Sequence, residues 1–243
     1  MLLVFVDETS DSKFKDYFGL SIAVINHTHY KTIKDGFQKI LKASHWDESI
    51  EFKGSYLFSA TKGDTNVGID ERIDIANKVI SLNIAKKNAR MRFFYLRHKV
   101  DKKKQGEEYL KVLPLLLNKA LPCVTKATKG SGKDIIAITC DYRSDISATQ
   151  IHNAVEPVVK SKKFTLLEEV TMASSKFHTV GILYADIIGY LVARIDTISN
   201  DLELFENIPK DQLANNGKVK KLKTSMQLIN KIKQLEKYEI KVS

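Results

Sequence analysis

Two kinds of hydrophobic spacing recur along the chain, and they predict different elements. Leu2 to Val6 is an apolar run without alternation, the pattern of a central strand buried on both faces. Tyr17 to Ile25 reads as a second strand, reached through the polar turn Thr9 to Asp16. Helical spacing follows over His29 to Ala43, with Ile33, Phe37, Ile40 and Leu41 on one face, and again over Ile69 to Ala85. Arg90 to Val100 returns to strand character. Glu107 to Thr125 reads as a helix that Pro114 and Pro122 should bend or end. Ile135 to Cys140 is a buried-strand pattern ending at Asp141, Ala148 to Lys160 is helical, and Phe164 to Met172 is a strand. Val180 to Ile195 is apolar nearly all round, which predicts a buried helix. The order β-β-α-α-β-α-β-α-β-α implies an α/β fold, a layered sheet with helices packed on it.

The C-terminal stretch has a different texture. From Gly217 to Ser243 there are eight Lys against two Glu, with Leu222, Met226, Ile229, Ile232 and Leu235 spaced by three or four. This predicts a basic amphipathic helix. Its apolar stripe suits docking on the core or on a second copy in a homodimer, and its lysines suit a nucleic-acid or partner-binding arm.

Composition narrows the class. With 39 basic and 29 acidic residues the chain of 243 carries a formal +10, and its 43% hydrophobic and 28% charged residues exclude a disordered or collagenous protein. Two cysteines, Cys123 and Cys140, have neither CxxC nor Cys/His spacing, so a disulfide framework or structural zinc is not expected. The N-terminus reaches Asp7 and Glu8 without a signal-peptide pattern, and Val180–Ile195 is too short to span a bilayer and contains Asp186. A cytoplasmic protein with no membrane partner is the expectation.

The carboxylates carry the candidate chemistry. Asp7 and Asp141 each directly follow the apolar run of a strand, and Asp186 is the one charge between Gly181 and Ala193, with Ile182 and Tyr190 at its i±4 positions. Buried unpaired charge costs several kcal/mol, so each demands a cation or strong hydrogen bonds. Glu51, in Glu51-Phe-Lys-Gly54, is a fourth acid between hydrophobic segments. Converging carboxylates suit hard divalent cations, Mg²⁺ or Mn²⁺, and through them phosphodiester hydrolysis. Each acid also has a plainer reading as a salt-bridged or surface group. Asp7 and Glu8 point to opposite faces of a strand, so only Asp7 joins the cluster, while Glu8 and Asp11 read as turn or capping acids. Asp145 is a reserve ligand, and His178 reads as a capping or surface histidine that could instead assist protonation. Thr128-Lys-Gly-Ser-Gly-Lys-Asp134 lacks the first Gly and the Ser/Thr of a phosphate loop. Nine Lys or Arg against Asp101 lie between Lys86 and Lys104, interleaved with Phe93, Phe94 and Tyr95. Lys86, Lys87, Arg90, Arg92, Lys102, Lys103 and Lys104, together with Lys53, are the candidate nucleic-acid contacts, for DNA or RNA.

Three motifs bring in a family. Phe5-Val-Asp-Glu-Thr-Ser-Asp11 resembles an FVDESGD opening, Glu51-Phe-Lys53 a short Glu-x-His/Lys element, and Ile182-Leu-Tyr-Ala-Asp186 an LQLAD helix. These are the motifs of the bacterial and phage proteins grouped as domain of unknown function 3800, and the resemblance spans roughly residues 1–198. Ser10 stands for the motif glycine, Leu183 for its glutamine, and Lys53 where many members have His. The resemblance implies a ribonuclease-H-like mixed sheet flanked by helices over residues 1–198, and composition and spacing make 199–243 a basic helical extension beyond it. It implies Asp7, Glu51, Asp141 and Asp186 as catalytic metal ligands, with Asp141 in the place of the middle acid, and a divalent-metal-dependent nuclease. The alternative is a catalytically idle module of the same fold, binding nucleic acid or a protein in phage defence or a mobile element.

Overall fold

A computed structural model describes residues 1–9, 17–47, 49–57, 67–82, 91–99, 105–125, 134–174, 179–193 and 237–239. Strand β1 (Leu2–Thr9) runs through the middle of the sheet. It pairs antiparallel with β2 (Tyr17–Asn26), from Leu2 opposite Asn26 to Thr9 opposite Gly19. Helix α1 (His27–Ala43) follows, its first turn capped by the Asn26 side chain accepting from the Thr28 amide at 3.1 Å. Then come the single turn α2 (Gly54–Leu57) and α3 (Ile69–Ser81). Strand β3 (Met91–Lys99) lies antiparallel to β2, and α4 (Gln105–Thr125) leads to β4 (Asp134–Asp141), parallel to β1 on its other side. Helix α5 (Ala148–Ser161) opens on a capping box between Ser147 and Gln150. Two short strands, β5 (Phe164–Leu166) and β6 (Thr171–Ala173), both pair parallel with β4, and the buried helix α6 (Val180–Ala193) completes the core.

The strand order β5-β4-β1-β2-β3, with β2 alone antiparallel among these five, makes a mixed sheet flanked by helices of the ribonuclease-H-like kind. Side-chain alternation divides the core. Phe5, Ala23, Phe93 and Tyr95 face the cluster that includes α1, α3 and α6. Val4, Val6, Phe94, Ile138 and Cys140 face α4 and α5.

Four expectations need correction. Helix α4 continues past Pro114 and Pro122 and ends at neither. Its buried stripe, Val112, Leu113, Leu116, Leu117, Ala120 and Leu121, outweighs the roughly 3 kcal/mol that each internal proline costs. The strand expected over Phe164 to Met172 is broken between β5 and β6, where Leu167 is exposed and Glu168 and Glu169 follow. The aromatics Phe93, Phe94 and Tyr95 are all buried, so they pack the core and do not form a stacking surface. Finally, Lys237–Glu239, placed in the helical extension by its sequence, forms strand β7, parallel to β3 at Phe93–Tyr95. The free edge of β3 offers unpaired backbone groups that a strand satisfies and a helix cannot. The rest of that extension lies outside the described residues, as do Lys86, Lys87, Arg90, Lys102, Lys103, Lys104 and His178.

Candidate active site

Alternation along two neighbouring strands puts the acids on one face. Phe5 of β1 faces α6, so Asp7 does too; Cys140 of β4 faces away, so Asp141 turns to the α6 side. The β1–β4 register, Val6 opposite Cys140, makes Asp7 and Asp141 the next residues along on adjacent strands, at the carboxyl ends where open α/β sheets bind ligands.

Helix α6 supplies the third acid by lying very close to the sheet. A Cβ on Gly181 would overlap the Phe5 ring. The Ser21 hydroxyl, on β2, donates to the Ala185 carbonyl at 2.8 Å, with the Asp7 carbonyl 3.3 Å away. This seats Asp186 beside Asp7, close enough for its carboxylate to raise the Asp7 carboxyl. The segment before α2 supplies the rest. The Gly54 amide donates to Asp186 Oδ2 at 2.5 Å, and a Cβ on Gly54 would meet Tyr190 Cβ at 2.8 Å, so glycine is what allows that approach. Lys53 pairs with Glu51 at 3.2 Å at the half-open rim.

The electrostatics report a shortage of positive charge. Burial, then the Asp186 and Asp141 carboxylates, push Asp7 well above the usual range, and Lys53 offsets part of this. Burial pushes Asp186 up to about 6, against the lowering effects of the Gly54 amide and Lys53, with Glu51 and Asp141 adding to the rise. Desolvation works against the Lys53 ammonium, yet Glu51, Asp186 and Asp7 hold it above its ordinary value. Asp186 and Asp141 therefore act on Asp7, and Glu51 and Asp141 act on Asp186. Among the described residues no three acidic, His or Cys side chains are gathered into a ready metal cage.

Other candidates fall elsewhere. Glu8, read as a turn or capping acid, is an in-strand partner of Arg143, and Asp145, the reserve ligand, accepts two hydrogen bonds from the same guanidinium. Arg92 donates to the Cys123 carbonyl near the end of α4 at 2.7 Å, a structural bond. Burial pushes the Cys140 thiol up to about 12, so it is no nucleophile. Sequence reasoning missed the Gly54 amide and Arg143. The EFKG spacing signals the first weakly, and the second has no signal until Glu8 is known to be its neighbour across the strands.

No protein-family model matches the chain, and no curated protein matches it. Among solved structures, it is similar to a ribonuclease H2 from Pyrococcus horikoshii at 13% identity, covering 96% of this chain and 100% of that one, with a TM-score of 0.42. A chain of the PCNA–RNase HII complex from Archaeoglobus fulgidus gives 11% identity, 95% and 91% coverage, and a TM-score of 0.39. Bst ribonuclease HIII in complex with Mn²⁺ gives 14%, 96% and 71%, and 0.39. At this level of likeness, the fold assignment rests on the strand order and directions described above.

Proposed function

We propose that this protein is a divalent-metal-dependent phosphodiesterase acting on nucleic acid, with its site at Asp7, Asp141, Asp186 and Glu51. The observation that carries the reading is that Asp7 and Asp186 are both buried and mutually close, with Asp141 raising both carboxyls and Glu51 raising Asp186. The donor set fits a hard cation: it is all oxygen, and burial with mutual repulsion raises the Asp7 and Asp186 carboxyls, which a cation would lower again. Asp7 and Asp186 would hold Mg²⁺ or Mn²⁺, assisted by Asp141 and Glu51. The bound cation would lower the pKa of water and offset charge developing on the phosphodiester. The chain's own groups do the rest. The Gly54 amide fixes Asp186, burial behind α6 keeps bulk water from Asp7, and Lys53, tethered by Glu51 at the rim, offers a point charge to a phosphate. The three opening, middle and helix motifs that resemble the domain of unknown function 3800 support the same assignment.

The test is cleavage of single-stranded, double-stranded and hybrid DNA and RNA with Mn²⁺ or Mg²⁺, beside Asp7→Asn and Asp186→Asn. Each substitution is expected to lower the rate by about 10³-fold, the equivalent of roughly 4 kcal/mol. Equal background from all three proteins would end the proposal.

Lys53 favours a second reading, an idle module in which this ammonium is the resident counter-ion of the acids. Calorimetric titration with Mn²⁺ separates the two. The idle module gives no heat that Asp186→Asn abolishes, whereas the enzyme does.

A further inference from the structure

Behind the acid pair, on the reverse face of the same two strands, lies a second charged cluster that the proposed chemistry leaves unused. Arg143 stands two residues beyond Asp141, with its side chain only 6% exposed. It pairs with Glu8, which directly follows Asp7, and donates Nε to Asp145 Oδ1 at 2.9 Å and Nη2 to Asp145 Oδ2 at 2.6 Å. Its guanidinium carbon sits 5.0 Å from the centroid of the buried Tyr109 ring. Asp145 belongs to the same chain segment as Arg143, so the Glu8 bond is the one that crosses between strands.

That crossing falls where the backbone ladder gives out. Strands β1 and β4 are registered from Leu2 opposite Ile136 to Val6 opposite Cys140, and the pairing stops just before Asp7 and Asp141. On its other side β1 stays paired with β2 through Thr9. Strand β4 is likewise held on its far side, by β6 through Asp141 opposite Ala173, so only the seam between β1 and β4 is left without ladder bonds, at the point where two carboxylates on strands about 5 Å apart repel each other. We propose that the Glu8–Arg143 ion pair is a positioning clamp, closing the end of the β1–β4 pairing from the reverse face and holding Asp7 beside Asp141 against their repulsion. The importance of this for catalysis rests on the reading of the acid face as a metal site; the clamp itself does not.

The two claims separate in one set of experiments. Glu8→Gln keeps the shape but removes the charge. It is expected to speed amide hydrogen exchange at Asp7, Glu8 and Asp141 by about tenfold and to weaken Mn²⁺ binding by a similar factor, while the Tyr142 amide, bonded to the Ala173 carbonyl of β6, is unchanged and Asp145→Asn changes either by less than about threefold. Arg143→Lys, which keeps the charge without the fork, gives an intermediate exchange rate and serves in its place should Glu8→Gln fail to fold. In the double variant Glu8→Gln/Asp141→Asn, with the repulsion also removed, exchange returns toward that of Asp141→Asn alone. Independent, multiplicative effects of the two substitutions on exchange would overturn the clamp, whatever the protein does with Mn²⁺. Coupled exchange in a protein that neither binds Mn²⁺ nor cleaves would uphold the clamp and sink the nuclease reading.

Discussion

The carboxyl ends of β1 and β4 present two faces with opposite electrostatic solutions. On one, Glu8 and Asp145 share a buried guanidinium, and that pairing holds Asp145 below the ordinary carboxylate range. On the other, Asp186 raises Asp7, and among the described residues the cation acting on both is a half-exposed lysine already paired with Glu51. Adjacent residues on one strand thus differ in kind: Glu8 is matched within the fold and Asp7 is left wanting. A sheet that can build the first arrangement does not build the second for stability, which is why the unmatched face reads as the functional one.

Breaking the matched face should cost most. Arg143→Met leaves Glu8 desolvated without a counter-charge and is expected to destabilise the protein by about 3–5 kcal/mol in urea unfolding. Relieving the unmatched face should do the reverse. Because the Asp186 carboxyl is raised to about 6, the folded chain retains a proton that the unfolded chain has lost between about pH 4 and 6. Its contribution to stability is fully present below the unfolded value and is lost as pH rises through about 6. In metal-free protein at pH 7, Asp186→Asn should therefore stabilise by an amount on the order of 2–3 kcal/mol, a gain that vanishes near pH 4. A stability difference between the two proteins that does not vary with pH would refute the assignment. Gly54→Ala, which presses a methyl group into Tyr190, should destabilise by about 1–3 kcal/mol and release the Asp186 oxygen from its amide. The smallest effect belongs to the rim. Lys53→Met should change stability by less than about 1 kcal/mol while raising the Asp7 and Asp186 titrations further, which carboxyl-resolved NMR would follow.

Much of this contrast was legible beforehand. Uninterrupted apolar runs located β1 and β4, and strand alternation alone separated Asp7 from Glu8. Asp186 stood out because no residue of its own helix could answer its charge. What stayed hidden depended on partners distant in sequence or on single backbone groups. Prolines marked a bend or an end in α4, and packing carried the helix on past both, while one helical turn at Gly54 placed an amide no periodicity reveals. The role of Arg143 needed the neighbouring strand to be known first. The tail at Lys237–Glu239 took strand form because an edge of β3 was waiting for it, a tertiary cause invisible in a local pattern.

The missing side chain at Gly181 sets the clearance between helix and sheet, with the Phe5 ring filling the space that a methyl would claim. The spacing of the acid pair is thus governed from more than a helical turn away, by atoms that are not there. Even alanine at this position would act as a shim, levering the helix outward and parting Asp186 from Asp7 without touching either. Sequences carrying all four acids but a bulkier residue at that point should be expected to have lost the site.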